Sequence, residues 1–384
     1  MTKSGNLPLS GIKVLDFSTL LPGPLAGLML AEAGADVIKI ERPEGEDARY
    51  FPPHWEGQSA FFALLNAGKS SVSVDLKDPG TQSRLKPLLQ DVDVLIEQFR
   101  PGVMDRLGLG YETCRELNPR LIYCSITGYG AHGSKADTAG HDLNYIGDTG
   151  LLSLSYGSAT TPTVPPALIA DIAGGSMPAV MNILLALLQR DKTGQGCHLD
   201  IAMCDAMFMF SFWAQAQGHA AGDWPQSGRA ILTGGSPRYQ LYPASDGRLV
   251  AVAALEQKFW VNFCDLICLP DDLRNDFQTP DKTREKVAAI IAGKPSAHWK
   301  GLFSGQDCCC SIVASLQEAW QDEHFRQRGL FDYRVSAGSN ATIPALCVPI
   351  SQQFRTPAEM PRPVARQGED NSRLDRKAPP RKFS

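Results

Sequence analysis

Short β-type runs and helical stretches take turns along residues 1–203, and few folds accept that rhythm. Ile12-Lys13-Val14-Leu15-Asp16-Phe17 has the composition of a strand, Pro22-Gly23-Pro24 breaks it, residues 25–33 are helical, and Gly34 ends the helix. Asp36-Val37-Ile38-Lys39-Ile40 supplies a second strand, and others are predicted at residues 71–74, 92–96 and 121–125. Such a succession calls for an α/β fold, a mostly parallel sheet covered by helices. Glu41 stands where a dinucleotide-binding sheet carries its acidic residue. The first turn reads Pro-Gly-Pro-Leu-Ala-Gly, however, so the glycine fingerprint fails and the sheet is Rossmann-like without an NAD site.

After Met203 the texture changes. Residues 204–235 read as a linker, with an apolar and aromatic helix over 208–216 and a polar stretch over 222–235. A smaller α+β domain over 236–330 begins with an alternating block at Tyr239. It turns at Ser245-Asp246-Gly247-Arg248 and resumes as Leu249-Val250-Ala251-Val252-Ala253. Residues 331–384 are rich in Pro, Arg and Gln, and residues 365–384 are predicted to be a solvated tail. At 384 residues the chain has room for two cores.

A net charge of −4 gives no electrostatic reason to expect nucleic acid or a membrane surface. The apolar run over 172–188 contains Gly174, Gly175, Ser176 and Pro178 and is predicted to be a buried helix rather than a membrane span. Met1-Thr2-Lys3-Ser4-Gly5 lacks a signal-peptide pattern and the terminal Arg-Lys-Phe-Ser lacks a lipidation signal, so a cytoplasmic location is expected. The 10 cysteines show no paired spacing. Cys124, Cys204, Cys268 and Cys347 sit in apolar segments as small hydrophobes, and Cys308-Cys309-Cys310 has no CxxC partner, so no metal site is expected.

Three acid/base candidates stand out. His141, in Gly140-His141-Asp142-Leu143-Asn144-Tyr145, is either a hydrogen-bonded loop residue or a proton-transfer base, since imidazole titrates near neutrality. Asp171, in Ala167-Leu168-Ile169-Ala170-Asp171-Ile172-Ala173-Gly174-Gly175, follows a strand-like run and precedes a long helix. It reads as an N-cap or as a catalytic carboxylate, with glycines that would let a ligand reach free N–H groups suited to an enolate oxygen. Glu256 closes one strand and opens an amphipathic helix, where support of the helix start competes with a functional role. Arg42, Lys69, Arg100 and Arg106 are candidates for a phosphate-rich ligand, the first three at strand ends, where open α/β sheets bind ligands.

Taken in order, these segments resemble the CaiB/BaiF, or class III CoA-transferase, superfamily. The resemblance runs through Pro22-Gly23-Pro24, Gly34-Ala35-Asp36 to Arg42-Pro43, Glu97-Gln98-Phe99-Arg100-Pro101-Gly102, Arg106-Leu107-Gly108-Leu109-Gly110, Thr127-Gly128-Tyr129-Gly130 and Gly194-Gln195-Gly196. It implies a Rossmann-like large domain, a linked small domain, a C-terminus that returns to the large domain, and an interlocked homodimer. The ligand it implies is acyl-coenzyme A, bound through Arg42, Lys69, Arg100, Arg106 and Tyr145, with no cofactor beyond that coenzyme.

His141-Asp142 resembles the racemase branch of the superfamily, and Leu232-Thr233-Gly234-Gly235-Ser236-Pro237-Arg238-Tyr239 resembles its loop. That branch inverts the α-carbon of 2-methyl-branched acyl-CoA thioesters by 1,1-proton transfer through an enolate. The likeness pairs His141 with Asp171 and gives Glu256 the support of His141. In the transferase branch the residue matching Asp171 is instead a nucleophile that moves CoA between carboxylic acids. Two departures from the racemase pattern bear on substrate choice: Gln257 stands in place of a proline, and Asp307-Cys308-Cys309-Cys310 replaces a segment with a single cysteine.

Overall fold

The computed structural model describes residues 7–338 and 341–375, so the N-terminal pentapeptide and the last four residues lie outside them. Six strands form one parallel sheet: β1 (Lys13–Asp16), β2 (Asp36–Glu41), β3 (Ser70–Ser73), β4 (Val94–Glu97), β5 (Ile122–Thr127) and β6 (Cys197–Ala202). Their order is β3-β2-β1-β4-β5-β6, with Leu15 opposite Ile38 on one side and Leu95 on the other. Winding reverses between β1 and β4, which leaves a crevice beyond their carboxyl ends. All four residues of β4 are buried, as befits a central strand covered on both faces. Strand β6 has no counterpart among the predicted strands. It is an edge strand whose exposed His198 and Asp200 break the apolar run that marks a buried strand.

Helix α1 (Pro22–Glu32) begins at the prolines rather than after them. In a first turn the missing proline N–H costs nothing, so the motif starts the helix instead of separating it from the strand. One face of the sheet packs Leu15, Ile38, Ile40, Val72, Leu95 and Tyr123 against Leu85 and Leu89 of α2 (Pro79–Asp91). Leu374 joins the same core. The segment before it pairs with the sheet edge, Asp370 accepting the Ser71 N–H at 2.9 Å and Asn371 accepting that of Ser73 at 2.8 Å. Residues 365–375 are thus not a solvated tail: they cover an edge strand whose donors would otherwise be unpaired. Residues 376–384 lie outside the described part.

The apolar run over 172–188 falls in a π-helical turn, Ala170–Ser176, that continues into α4 (Met177–Thr193). Ala179, Ile183, Ala186 and Leu187 are buried. Met177, Met181, Leu184, Leu185 and Leu188 are exposed, Leu188 by 62%. The expectation of a buried helix therefore holds for one face only. A helix apolar on two faces cannot be assigned a buried side by composition. Arg190, near its end, forms an ion pair with Asp93 at 2.9 Å.

The chain clusters into two compact units, Met1–Thr149 with Leu168–Met209 and Glu323–Ser384, and Gly150–Ala167 with Phe210–Asp322. The excursion over 150–167 has no counterpart in the boundaries read from composition. The second unit holds an antiparallel sheet of β7 (Tyr239–Pro243), β8 (Leu249–Ala253) and β9 (Cys310–Ile312), in the order β9-β8-β7. Its hairpin is the predicted one: Gly247, at φ +79°, donates its N–H to Ala244 at 3.0 Å. Tyr242, Val250, Val252, Trp260, Phe263 and Trp299 form its core.

Candidate active site

His141 is the residue before α3 (Asp142–Asp148), with extended backbone at φ −129°, ψ 176°. Its N–H donates to Asn144 Oδ1 at 3.0 Å, and its carbonyl accepts the Asn144 N–H at 2.8 Å. These bonds fix the backbone and leave the imidazole side exposed. Tyr145, one turn on, is buried, its ring edge-on to Tyr129 at 5.1 Å. The Tyr145 hydroxyl donates to the Gly140 carbonyl at 2.5 Å. Burial, followed by the charge of Asp171, pushes that phenol up to about 12. Tyr145 therefore lines the site but spends its hydroxyl on holding the turn that carries His141.

Asp171 sits in the first turn of the π-helix, and its side chain caps nothing. The sequence also suggested a strand before it, which the structure lacks, and free N–H groups after it, of which that of Ile172 is already engaged. The Ile172 N–H donates to the Leu168 carbonyl at 3.1 Å, and the Asp171 N–H donates to Asp142 Oδ1 at 3.0 Å. The glycines after it allow close packing. A Cβ on Gly174 would lie 2.1 Å from the Met203 carbonyl oxygen, and one on Gly175 would lie 3.0 Å from the Pro22 side chain. Burial, then the neighbouring Asp142 charge, pushes the Asp171 carboxyl from 3.8 up to about 6, while His141 pulls the other way. Such a group is poised to give or take a proton near neutrality.

His141 and Asp171 line one cleft of about 440 Å³, together with Leu20, Gln98, Arg100 and Tyr145. It opens where β1, β4 and β5 end. Leu20 holds φ +63°, an unusual value for a branched side chain, and Glu46 Oε1 accepts its N–H at 2.6 Å. Gln98 Oε1 accepts the Gly23 N–H at 3.0 Å, tying the loop after β4 to α1. Asp142 and Gln98 stand in the sequence only as parts of motifs, and Leu20 carries no signal there. Nothing in the sequence sets residue 142 against residue 171, and no motif reports a positive φ at a leucine.

The cationic candidates separate. Arg100 is exposed and lines the cleft. Arg42 borders a second, largely apolar hollow of about 320 Å³ at the ends of β1, β2 and β4, with Lys77 and Phe99, and pairs with Asp47. Arg106 is exposed in the short helix after Gly102. Lys69 does not belong with them. Its ammonium is buried and donates to Asp16, the Pro24 carbonyl and Asn66 at 2.8, 2.8 and 2.9 Å, which uses all three donors. Lys69 is a structural cation beneath α1. Glu256 lies in the second unit, exposed, at the start of α5 (Gln257–Leu266), and its carboxylate makes no cap bond. Among the described residues no group of three His, Cys, Asp or Glu side chains could hold a metal, and all ten cysteines are free.

The sequence pattern of CoA-transferase family III matches residues 9–371. The chain belongs to that family. Within it, the chain is 35% identical over 329 residues to human alpha-methylacyl-CoA racemase, covering 85% of this chain and 82% of the relative. It is 31% identical over 387 residues to the succinate–glutarate CoA-transferase of Agrobacterium fabrum, covering 96% and 94%. Among solved family members, a CaiB/BaiF family protein from Brucella suis superposes with a TM-score of 0.81 at 28% identity, over 97% of this chain and 99% of that one. The mixed α/β fold with its large parallel sheet is thus that of the family. Racemases and CoA-transferases both stand among its relatives at similar identity.

Proposed function

We propose that this family III enzyme inverts the α-carbon of 2-methyl-branched acyl-CoA thioesters. One of His141 and Asp171 removes the α-proton, and the other returns a proton to the opposite face. The observation that carries this reading is the shared cleft, in which an exposed imidazole and a half-buried carboxyl at about 6 stand on separate elements joined through Asp142. Two acid/base groups on separate supports suit a planar enolate attacked from both sides. Glu256 is assigned the orientation of the imidazole. The coenzyme enters as part of the substrate, and the proton transfers need neither metal nor redox cofactor. Arg100, Arg42 and Arg106 are the guanidinium groups assigned to its phosphates, and the apolar hollow beside Arg42 suits its nucleotide end, at the reversal of the sheet. The homodimer that the family resemblance implies is proposed as well, which sedimentation would test.

The test is to incubate the enzyme with one enantiomer of a 2-methylacyl-CoA and follow optical purity. Loss of optical purity that His141→Ala abolishes supports the proposal; retention throughout overturns it. The half-buried Asp171 carboxyl at the cleft, together with the transferase relatives, favours one alternative: Asp171 attacks the thioester carbonyl and expels the CoA thiolate. Intact mass after incubation with acyl-CoA and a free carboxylic acid separates the two, since only the transferase leaves a covalent adduct on Asp171.

A further inference from the structure

Arg238, one residue before β7, is buried. Its guanidinium grips Asp276 with two prongs, Nε to Oδ2 at 2.9 Å and Nη2 to Oδ1 at 2.7 Å. The rings of Trp260 and Phe277 lie against it, each centroid 5.0 Å from Cζ. Those contacts suffice to anchor a buried cation. Two further bonds go elsewhere. Nη1 donates to the Leu255 carbonyl at 3.1 Å, and Nη2 donates to Gln257 Oε1 at 2.9 Å. Leu255 and Gln257 are the two neighbours of Glu256.

The backbone around them is held at other points too. The Ala253 N–H donates to the Cys309 carbonyl at 3.0 Å, and the Glu256 carbonyl accepts the Trp260 N–H at 3.0 Å, opening α5. Glu256 itself is extended, at φ −72°, ψ 146°, while its carboxylate makes no cap bond and faces solvent. Glu256 thus combines a backbone held on both sides with a carboxylate open to solvent. A residue that precedes proline is driven to this same extended region by steric clash. Here Glu256 takes that region as the residue that opens α5, and Arg238 holds the side chain of Gln257 next to it.

We propose that Arg238, acting through Leu255 and Gln257, is a positioning residue that sets the direction of the Glu256 carboxylate. The inference rests on the reading of Glu256 as the group that orients His141. Gln257→Met keeps the size of the side chain and the Arg238–Asp276 pair but removes the acceptor. Gln257→Pro removes the acceptor and holds Glu256 in that extended region covalently, at a helix position where the missing N–H costs nothing. The experiment measures kcat and KM for α-proton exchange in deuterated water with 2-methylacyl-CoA, for both variants, for Glu256→Gln, and for Glu256→Gln combined with Gln257→Met.

Gln257→Met is expected to lower kcat on the order of tenfold with KM little changed, because small misplacements of a supporting group act on the chemical step. Gln257→Pro is expected to recover most of that loss, and Gln257→Met to add nothing once Glu256 is glutamine. An unchanged kcat in Gln257→Met, or the same loss in both backgrounds, overturns the positioning role alone. An unimpaired Glu256→Gln overturns the role given to Glu256 and the inference with it.

Discussion

The Asp142 carboxylate accepts the backbone N–H of Asp171 at 3.0 Å, so the turn that carries the imidazole is bolted to the turn that carries the carboxyl. The two segments are 29 residues apart in sequence, and this bond joins α3 to the π-helix. It also places a buried negative charge beside Asp171, the second cause, after burial, of its raised pKa. One residue thereby ties the two turns together and adds to the proton affinity of Asp171.

Asp142→Asn tests that coupling. The asparagine Oδ1 still accepts the Asp171 N–H, so the turn holds, while the like charge disappears. Turnover that begins with Asp171 as the base rises with pH through about 6 in the native enzyme. The acid limb of kcat/KM is expected to move to lower pH in the variant, and a limb that stays in place would show that Asp142 does not tune Asp171.

Asp171→Asn is expected to abolish activity and yet raise thermal stability at neutral pH. The folded-state pKa of about 6 lies above the ordinary 3.8, so folding disfavours the ionised form. That cost is absent where the carboxyl is protonated in both states, grows as pH rises from 3.8, and is complete above about 6. Tm measured at pH 8 should therefore rise by about 2–4 °C, with almost no change at pH 4.

Lys69 and Arg100 make opposite forecasts. Burial alone would push the Asp16 carboxyl up, but the charges of Lys69 and Lys39, with hydrogen bonds from Lys69 and Ser18, hold it at about 2. Its contribution to stability is present above about 3.8 and lost as pH falls towards 2. Lys69→Met takes from that buried carboxylate its ion-pair partner, leaving Ser18 and the charge of Lys39, and should cost about 3–5 kcal/mol in denaturant unfolding, without changing CoA affinity in the folded fraction. Arg100→Ala should leave unfolding unchanged and weaken CoA binding roughly tenfold, about 1.4 kcal/mol, by calorimetry.

Gly174→Ala addresses packing next to the carboxyl. The new Cβ would meet the Met203 carbonyl oxygen at 2.1 Å, and backbone cannot yield as a side-chain tip can. A loss of about 1–3 kcal/mol in unfolding free energy is expected. Wild-type stability would mean that the π-helical turn shifts freely.

Much of the sheet was legible because a parallel strand buried on both faces carries a short apolar run, as residues 94–96 and 121–124 do, even though β1 and β2 also bury Asp16, Lys39 and Glu41. Strand β6 was hidden by its polar edge, and α1 by prolines that look like a break but sit in a first turn. His141 and Asp171 were found as residue types in suggestive company. Their meeting in one cleft depends on Asp142 and on the chain's path between them, which local composition does not encode. The glycines after Asp171 make a related point: sequence shows that a backbone can be approached closely, and only the folded chain shows that Met203 approaches Gly174. Lys69 looked like a strand-end cation, and only the folded chain shows Asp16 beneath it.

The most direct measurement starts from a single enantiomer of a 2-methylacyl-CoA in deuterated water and reads the isotope in each stereoisomer at early times. Two groups on opposite faces should yield inverted product carrying solvent deuterium from the first turnover, while recovered substrate keeps most of its original hydrogen. Inverted product that retains the substrate's hydrogen, or no exchange beside a covalent adduct on Asp171, would contradict inversion by His141 and Asp171.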